Sequence, residues 1–387
     1  MGRIGRNHAY REGEYVNDTA NTCHRRQFLG SLAAAGAIGA LAPAWSAERK
    51  KEERLKLGID NFSIRAFGWK APQLIDYAAS LDLDTLLLSD LEVYESLDES
   101  YLTGIRDHAD RVGIELHAGT GSICPTSGSY NESKWGPAEE HARLLIRTAK
   151  RLGTSTARCY LGSRRDREEG IGIQRHVDAM VKVLKAVQSE AEDANVKLAI
   201  ENHAGDMQAR ELVQLIEAAG PSYVGATMDP GNAAWTLEDP QVNLELLGPY
   251  VLTTGIRDTA IWETDLGAMC MWVNMGHGVV DWPAYVKRFR ELCPEAPFVL
   301  EIISYRWSHE SRYLEPEFWS RYPDVRADEF ARFLALAKRG RPFEIPAGRP
   351  SGEESRELEQ SQQKWDLEQS LDYCRRVLGL GRKAVDS

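Results

Sequence analysis

Residues 196–220 read VKLAIENHAGDMQARELVQLIEAAG. A short apolar run, VKLAI, ends in the polar cluster Glu201-Asn202-His203. Apolar residues then recur at helical spacing, and Gly220 stops the pattern where a helix C-cap belongs. A buried strand, a polar turn and an amphipathic helix make one unit. The fold is decided by how often that unit repeats.

Upstream it recurs from LKLGIDNFSI (55–64), TLLLSDL (85–91), IELHAGTGSI (114–123) and STARCYLG (155–162). Downstream come YVGATMDPGN (223–232), YVLTTGIRDT (250–259) and PFVLEIIS (297–304). A long insertion separates the seventh run from its helix, DWPAYVKRFRELC, and Gly113 and Gly153 close two further helices. Eight strand-helix units in succession predict an α/β chain folded as a (β/α)8 TIM barrel with extra C-terminal helices. The alternative, a doubly wound open sheet, needs a glycine-rich phosphate turn after the first strand. DNFSIRAFG offers none. The expected organisation is a signal region over 1–47, a barrel over 55–340 and a helical extension over 341–387 that packs on the barrel or on a second subunit.

The chain has 387 residues, 43% hydrophobic content and a formal net charge of -11, with a pI near 5.4. Nucleic-acid surfaces need clustered Lys and Arg, so that class of partner is excluded. The six cysteines, Cys23, Cys124, Cys159, Cys270, Cys293 and Cys374, show no CxxC spacing; Cys23 lies before the targeting segment and is expected to leave with it, and the other five read as buried thiols. Arg25-Arg26 in HRRQFLG, the Ala-rich run behind it and Ala42-Pro43-Ala44 read as a twin-arginine export signal with a cleavage site. The mature protein is then expected in the periplasm, with no membrane anchor.

Chemistry in a TIM barrel sits where the strands finish. Three apolar runs there end directly in an acid: KLAIE in Glu201, GATMD in Asp229 and FVLE in Glu301. Like charges crowded together and buried cost several kcal/mol each, by order of magnitude. A divalent cation resolves that cost, and oxygen ligands suit Mn²⁺ best, with Mg²⁺, Co²⁺ or Zn²⁺ as alternatives. An arginine or lysine inside the barrel is the competing explanation.

AIENHAGD, MDPGN, the Arg257-Asp258 pair, GHGVVDW and VLEI resemble the xylose-isomerase-like barrel family of sugar isomerases, 3-epimerases and related proteins, with endonuclease IV a distant relative. The resemblance covers residues 56 to about 340. It implies a divalent metal held by Glu, Asp, His and Glu at the ends of strands five to eight. Those positions are Glu201, Asp229, Gly255 and Glu301, so the imidazole is missing from the third. His277, on the glycine-flanked loop of MGHGVVDW, is the candidate replacement ligand, and water is the other.

The resemblance further implies a metal-dependent sugar isomerase or epimerase working through an enediolate, with Glu201 and Glu301 as the catalytic pair. Arg257, His203, His117 and Trp235 are the expected substrate contacts, with Trp69 and Trp262 as further loop indoles. Endonuclease chemistry would need more histidines and a basic groove than this chain carries. A lyase or hydrolase on oxidised (3-keto) sugars and a non-catalytic sugar-binding barrel both remain open. The expected partner is a small sugar, with a homo-oligomer as a further expectation.

Overall fold

The computed structural model describes residues 54–169 and 172–382. The twin-arginine pair, the 1–47 signal region and Cys23 lie outside the described residues. Eight parallel strands form one sheet: β1 (Leu57–Asp60), β2 (Thr85–Leu88), β3 (Glu115–Ser122), β4 (Thr156–Tyr160), β5 (Lys197–Glu201), β6 (Val224–Met228), β7 (Val251–Thr254) and β10 (Phe298–Leu300). Neighbours pair in sequence order, and β10 pairs with β1. The remaining gap closes where the Ile256 amide donates to Val299 O at 2.7 Å and the Glu301 amide donates to Ile256 O at 2.9 Å. The sheet is thus a nearly closed barrel ringed by helices, as the eight-unit reading expects.

The strands are buried on both faces, which is why they read as continuous apolar runs; β1, β2 and β6 have no exposed residue. Each observed strand is shorter than its apolar run. The run 55–64 is strand only to Asp60, because the Asp60 side chain accepts the Phe62 amide and starts a 3-10 turn over Asn61–Phe67. Helix Glu99–Val112 stops at Gly113, whose φ of 71° only glycine adopts without strain.

The insertion after β7 is not a plain loop. It folds as the antiparallel hairpin β8 (Asp258–Glu263) and β9 (Ala268–Val273), joined by β11 (Ser308–Ser311). Trp235, Ile261, Trp272, Tyr313 and Phe333 fill a second apolar core that includes this small sheet. The C-terminal helix Arg356–Arg376 buries Leu367, Leu371 and Cys374 in the main core. It also fastens the turn after β1, where Gln363 Oε1 accepts the Ala66 amide at 2.9 Å. The described residues, 54–169 and 172–382, belong to one compact unit. Cys124, Cys159, Cys270, Cys293 and Cys374 are all buried free thiols. No helix among the described residues is long and apolar enough to cross a membrane.

Candidate active site

Glu201 ends β5, Asp229 follows β6 and Glu301 follows β10, with exposures of 0%, 0% and 4%. Their strands are locked by neighbours on either side, so the three side chains are delivered to one place at the strands' C-terminal ends. Each acid presents one ligand oxygen within 4.8 Å of the other two. Charges buried at that spacing need compensation, and two arginines supply it.

Arg158, from β4, donates its Nε to Glu201 Oε2 at 2.6 Å and its Nη1 to Thr120 O at 3.0 Å. Arg257, just before β8, is 2% exposed and stands among all three acids. Its Nη2 lies 2.6 Å from Asp229 Oδ2 and 3.9 Å from Glu201 Oε1, and it bonds Glu301 Oε2. The guanidinium rests over the Trp272 ring at 4.5 Å. Trp235 stacks on Trp272 with ring centroids 4.3 Å apart. Asn232 completes the cluster, donating to Asp229 Oδ2 at 2.6 Å and to Glu201 Oε1 at 3.2 Å.

Two glycines make room for this arrangement. A Cβ at Gly231 would run into Arg257 Cγ. A Cβ at Gly255 would stand 3.2 Å from Glu301 Oε2 and 3.8 Å from Asp229 Oδ2. Position 255 therefore faces the acids, as the missing-imidazole reading requires. The cation that bonds these two acids is the arginine two residues on.

Burial shifts the surrounding titrations. It holds the Asp229 carboxyl well above its ordinary range, with Arg257 opposing. Asp60, at the end of β1, is pushed up to about 7, first by burial and then by Glu301. Its Oδ1 accepts the Phe62 amide at 2.7 Å and Ser89 Oγ at 2.6 Å, while Oδ2 has no partner. His203 is pushed down to about 4, first by burial and then by Arg158. Its Nδ1 meets Gly162 O at 2.6 Å, which makes Nδ1 the protonated nitrogen and Nε2 the acceptor. The ring stacks on Tyr160 at 3.9 Å.

Several expected contacts sit elsewhere. His117 lies early on β3 and spans the barrel interior, its Nδ1 2.9 Å from Thr253 Oγ1 and its Nε2 3.4 Å from Glu115. That is a structural tie, because both ring nitrogens are engaged below the strand ends. His277 is exposed and pairs with the Tyr305 hydroxyl at 3.1 Å; it is not part of the three-acid group. Trp235 is 7% exposed and touches Trp272 and His309, so it backs the ring under Arg257 instead of offering an open face. Trp69 packs on Phe67 and Tyr77, and Trp262 on Phe343.

Sequence reasoning passed over Arg158, Asp60 and Asn232. Asp60 carried the same signal as the acids that were found, a carboxylate closing an apolar run. Arg158 was signalled by a lone cation inside TARCY.

The sequence pattern of the xylose isomerase-like TIM barrel family matches residues 75–322. The chain belongs to that family. A curated relative, the 3-oxo-isoapionate decarboxylase of Pectobacterium atrosepticum, is 24% identical over 248 residues, 61% of this chain and 81% of that protein. Among solved structures, D-psicose 3-epimerase in the presence of D-fructose aligns with a TM-score of 0.54 at 16% identity, covering 84% of this chain and 100% of that one. The IOLI protein with a binding zinc atom aligns with a TM-score of 0.51 at 15% identity, covering 73% and 96%. These structural likenesses concern the fold.

Whether a resident ion fits here turns on Arg257. The three carboxylates alone are spaced so that one divalent cation could join them. The guanidinium, however, bonds two of the same carboxylates, at Asp229 Oδ2 and Glu301 Oε2. Two unit charges 4 Å apart repel by about 4 kcal/mol at an effective dielectric of 20, and a divalent ion roughly doubles that. With Arg257 where it stands, the cluster does not fit an ion as well.

Proposed function

We propose that this barrel is a sugar-modifying enzyme that moves a proton on a keto sugar or sugar acid through an enediolate, as an isomerase or epimerase. The observation that carries this reading is the pair Glu201 and Glu301 set around one guanidinium, at the end of the barrel where this family places its chemistry. One glutamate takes the proton from the carbon next to a carbonyl, and the other returns a proton to the neighbouring carbon or to the opposite face. Arg257 is the cation beside which the enediolate oxygen would develop its charge. Neutral His203, with Nε2 as an acceptor, can receive a sugar hydroxyl. Arg158 and Asn232 hold Glu201 in a single orientation, so its proton transfer needs no reorganisation.

Solvent exchange tests the reading. In deuterated water, a panel of free, uronic and 3-keto sugars should include one that gains deuterium at a single carbon. Glu201→Gln and Glu301→Gln should each slow that exchange by about 10²–10⁴-fold. No exchange with any member, despite saturable sugar binding, would favour the non-catalytic barrel.

Decarboxylation of a 3-oxo sugar acid is the second reading, favoured by the curated relative's activity. It reaches the same enediolate by loss of carbon dioxide, and only one protonation follows. The acid spacing alone would suit a divalent ion, Mn²⁺ first, but one would bind only if Arg257 withdrew, so the reaction proposed here does not use it. Export through the twin-arginine route belongs to the same proposal. Replacing Arg25 and Arg26 by lysine should keep the protein in the cytoplasm, and unchanged periplasmic delivery would refute it.

A further inference from the structure

We infer that Arg257 is the built-in cation of this site, seated among the acids that a divalent ion would otherwise join. The barrel therefore folds and binds its ligand without a resident metal, and it acquires an ion site only when Arg257 is removed. This goes beyond the proposed reaction, because it concerns what neutralises the acids and not which sugar is turned over.

Four independent features carry the inference. The first is position: Arg257 Nη2 touches Asp229 and Glu301 and lies 3.9 Å from Glu201, the same trio whose oxygens cluster within 4.8 Å. The second is Gly255. A Cβ there would start 3.2 Å from Glu301 Oε2 and 3.8 Å from Asp229 Oδ2, the two oxygens that Arg257 Nη2 bonds, so an imidazole at 255 would approach atoms the arginine already holds.

The third is Gly231, the residue that lets the arginine stem pass. Any Cβ there meets Arg257 Cγ, so the backbone on the β6 side is shaped around this side chain. The fourth is the ring beneath. Trp272 donates its Nε1 to Gly231 O at 3.2 Å and presents its face to the guanidinium at 4.5 Å, a cation–π contact strengthened by the burial of both groups. A side chain held at both its stem and its head, and 2% exposed, is not a surface arginine that has drifted inward.

The test reads ion binding, so its failure is distinct from failure of the proposed reaction. The full chain is purified without chelator and analysed for metals, then titrated with Mn²⁺ by calorimetry and by the loss of free-ion electron paramagnetic resonance signal. Wild type is expected to carry no stoichiometric divalent ion and to keep its melting temperature in EDTA. Arg257→Met preserves the stem over Trp272 but removes the charge. It should bind one Mn²⁺ per chain, tighter than wild type by about tenfold or more. Should Arg257→Met fail to fold, the wild-type measurement still decides. An ion that co-purifies at one per chain and whose removal lowers the melting temperature overturns the inference, as does equal Mn²⁺ affinity in the two proteins.

Discussion

Gly255 and Arg257 face the same acids, so a change at one bears on the other. The sequence comparison suggests that an imidazole at 255 would restore a metal ligand, yet its Cβ would lie 3.2 Å from the Glu301 oxygen that Arg257 already bonds. Gly255→His by itself is therefore expected to lower stability without raising Mn²⁺ affinity. Combined with Arg257→Met, it should raise that affinity beyond either single change. A thermodynamic cycle of the four proteins checks this, and additive effects would count against a shared seat. Arg158 makes a separate prediction. Its side chain is 6% exposed and that of Glu201 1%, so removing the arginine strands a buried carboxylate. Arg158→Met should cost about 3–5 kcal/mol in denaturant unfolding. At this scale the acids were legible because each one ends an apolar run. Their arginine partners were not paired in advance, since Arg158 and Glu201 are 43 positions apart and Arg257 and Glu301 44.

Elements in this barrel are fastened to one another by buried polar groups at their ends. The helix Ala209–Ala219 begins against Glu238, whose two oxygens accept the Ala209 amide at 2.9 and 3.1 Å. Burial raises the Glu238 carboxyl from 4.5 to about 8, against the pull of that hydrogen bond. The folded protein therefore keeps a proton that the unfolded chain releases. The resulting stabilisation is full below pH 4.5 and is lost as the pH climbs through 8. Glu238→Gln mimics the protonated form at every pH. The stability of wild type relative to this variant should fall between pH 5 and pH 8, measured by urea unfolding; parallel curves would rule the effect out. Helix ends such as Gly113 were readable in the sequence because a C-cap is a local event. The short extent of β1 depends on one side chain, Asp60, capping the next turn. The hairpin β8–β9 escaped the reading because its strands match no strand-helix unit and β9 pairs with β11, more than thirty residues away.

On the scale of the whole molecule, the C-terminal helix is part of the barrel's core and not an appendage. Leu371 is 1% exposed in that core, and Arg349 pairs with Asp366 at 2.8 Å beside it. Leu371→Ala should cost about 2–5 kcal/mol and should lower the single unfolding transition of the barrel. A separate, earlier transition would instead make the helix an independent unit. The sequence by itself determined the eight-unit alternation, the barrel class, the three acids and the glycine among them. All of these follow from periodicity and from local rules at strand ends. Only the tertiary structure decided what meets those acids. It put Arg257 between them, His117 across the barrel interior and His277 at the surface beside Tyr305. Which charges meet inside a closed barrel depends on strand register, closure and space left by residues such as Gly231, quantities summed over the whole chain that no short stretch carries.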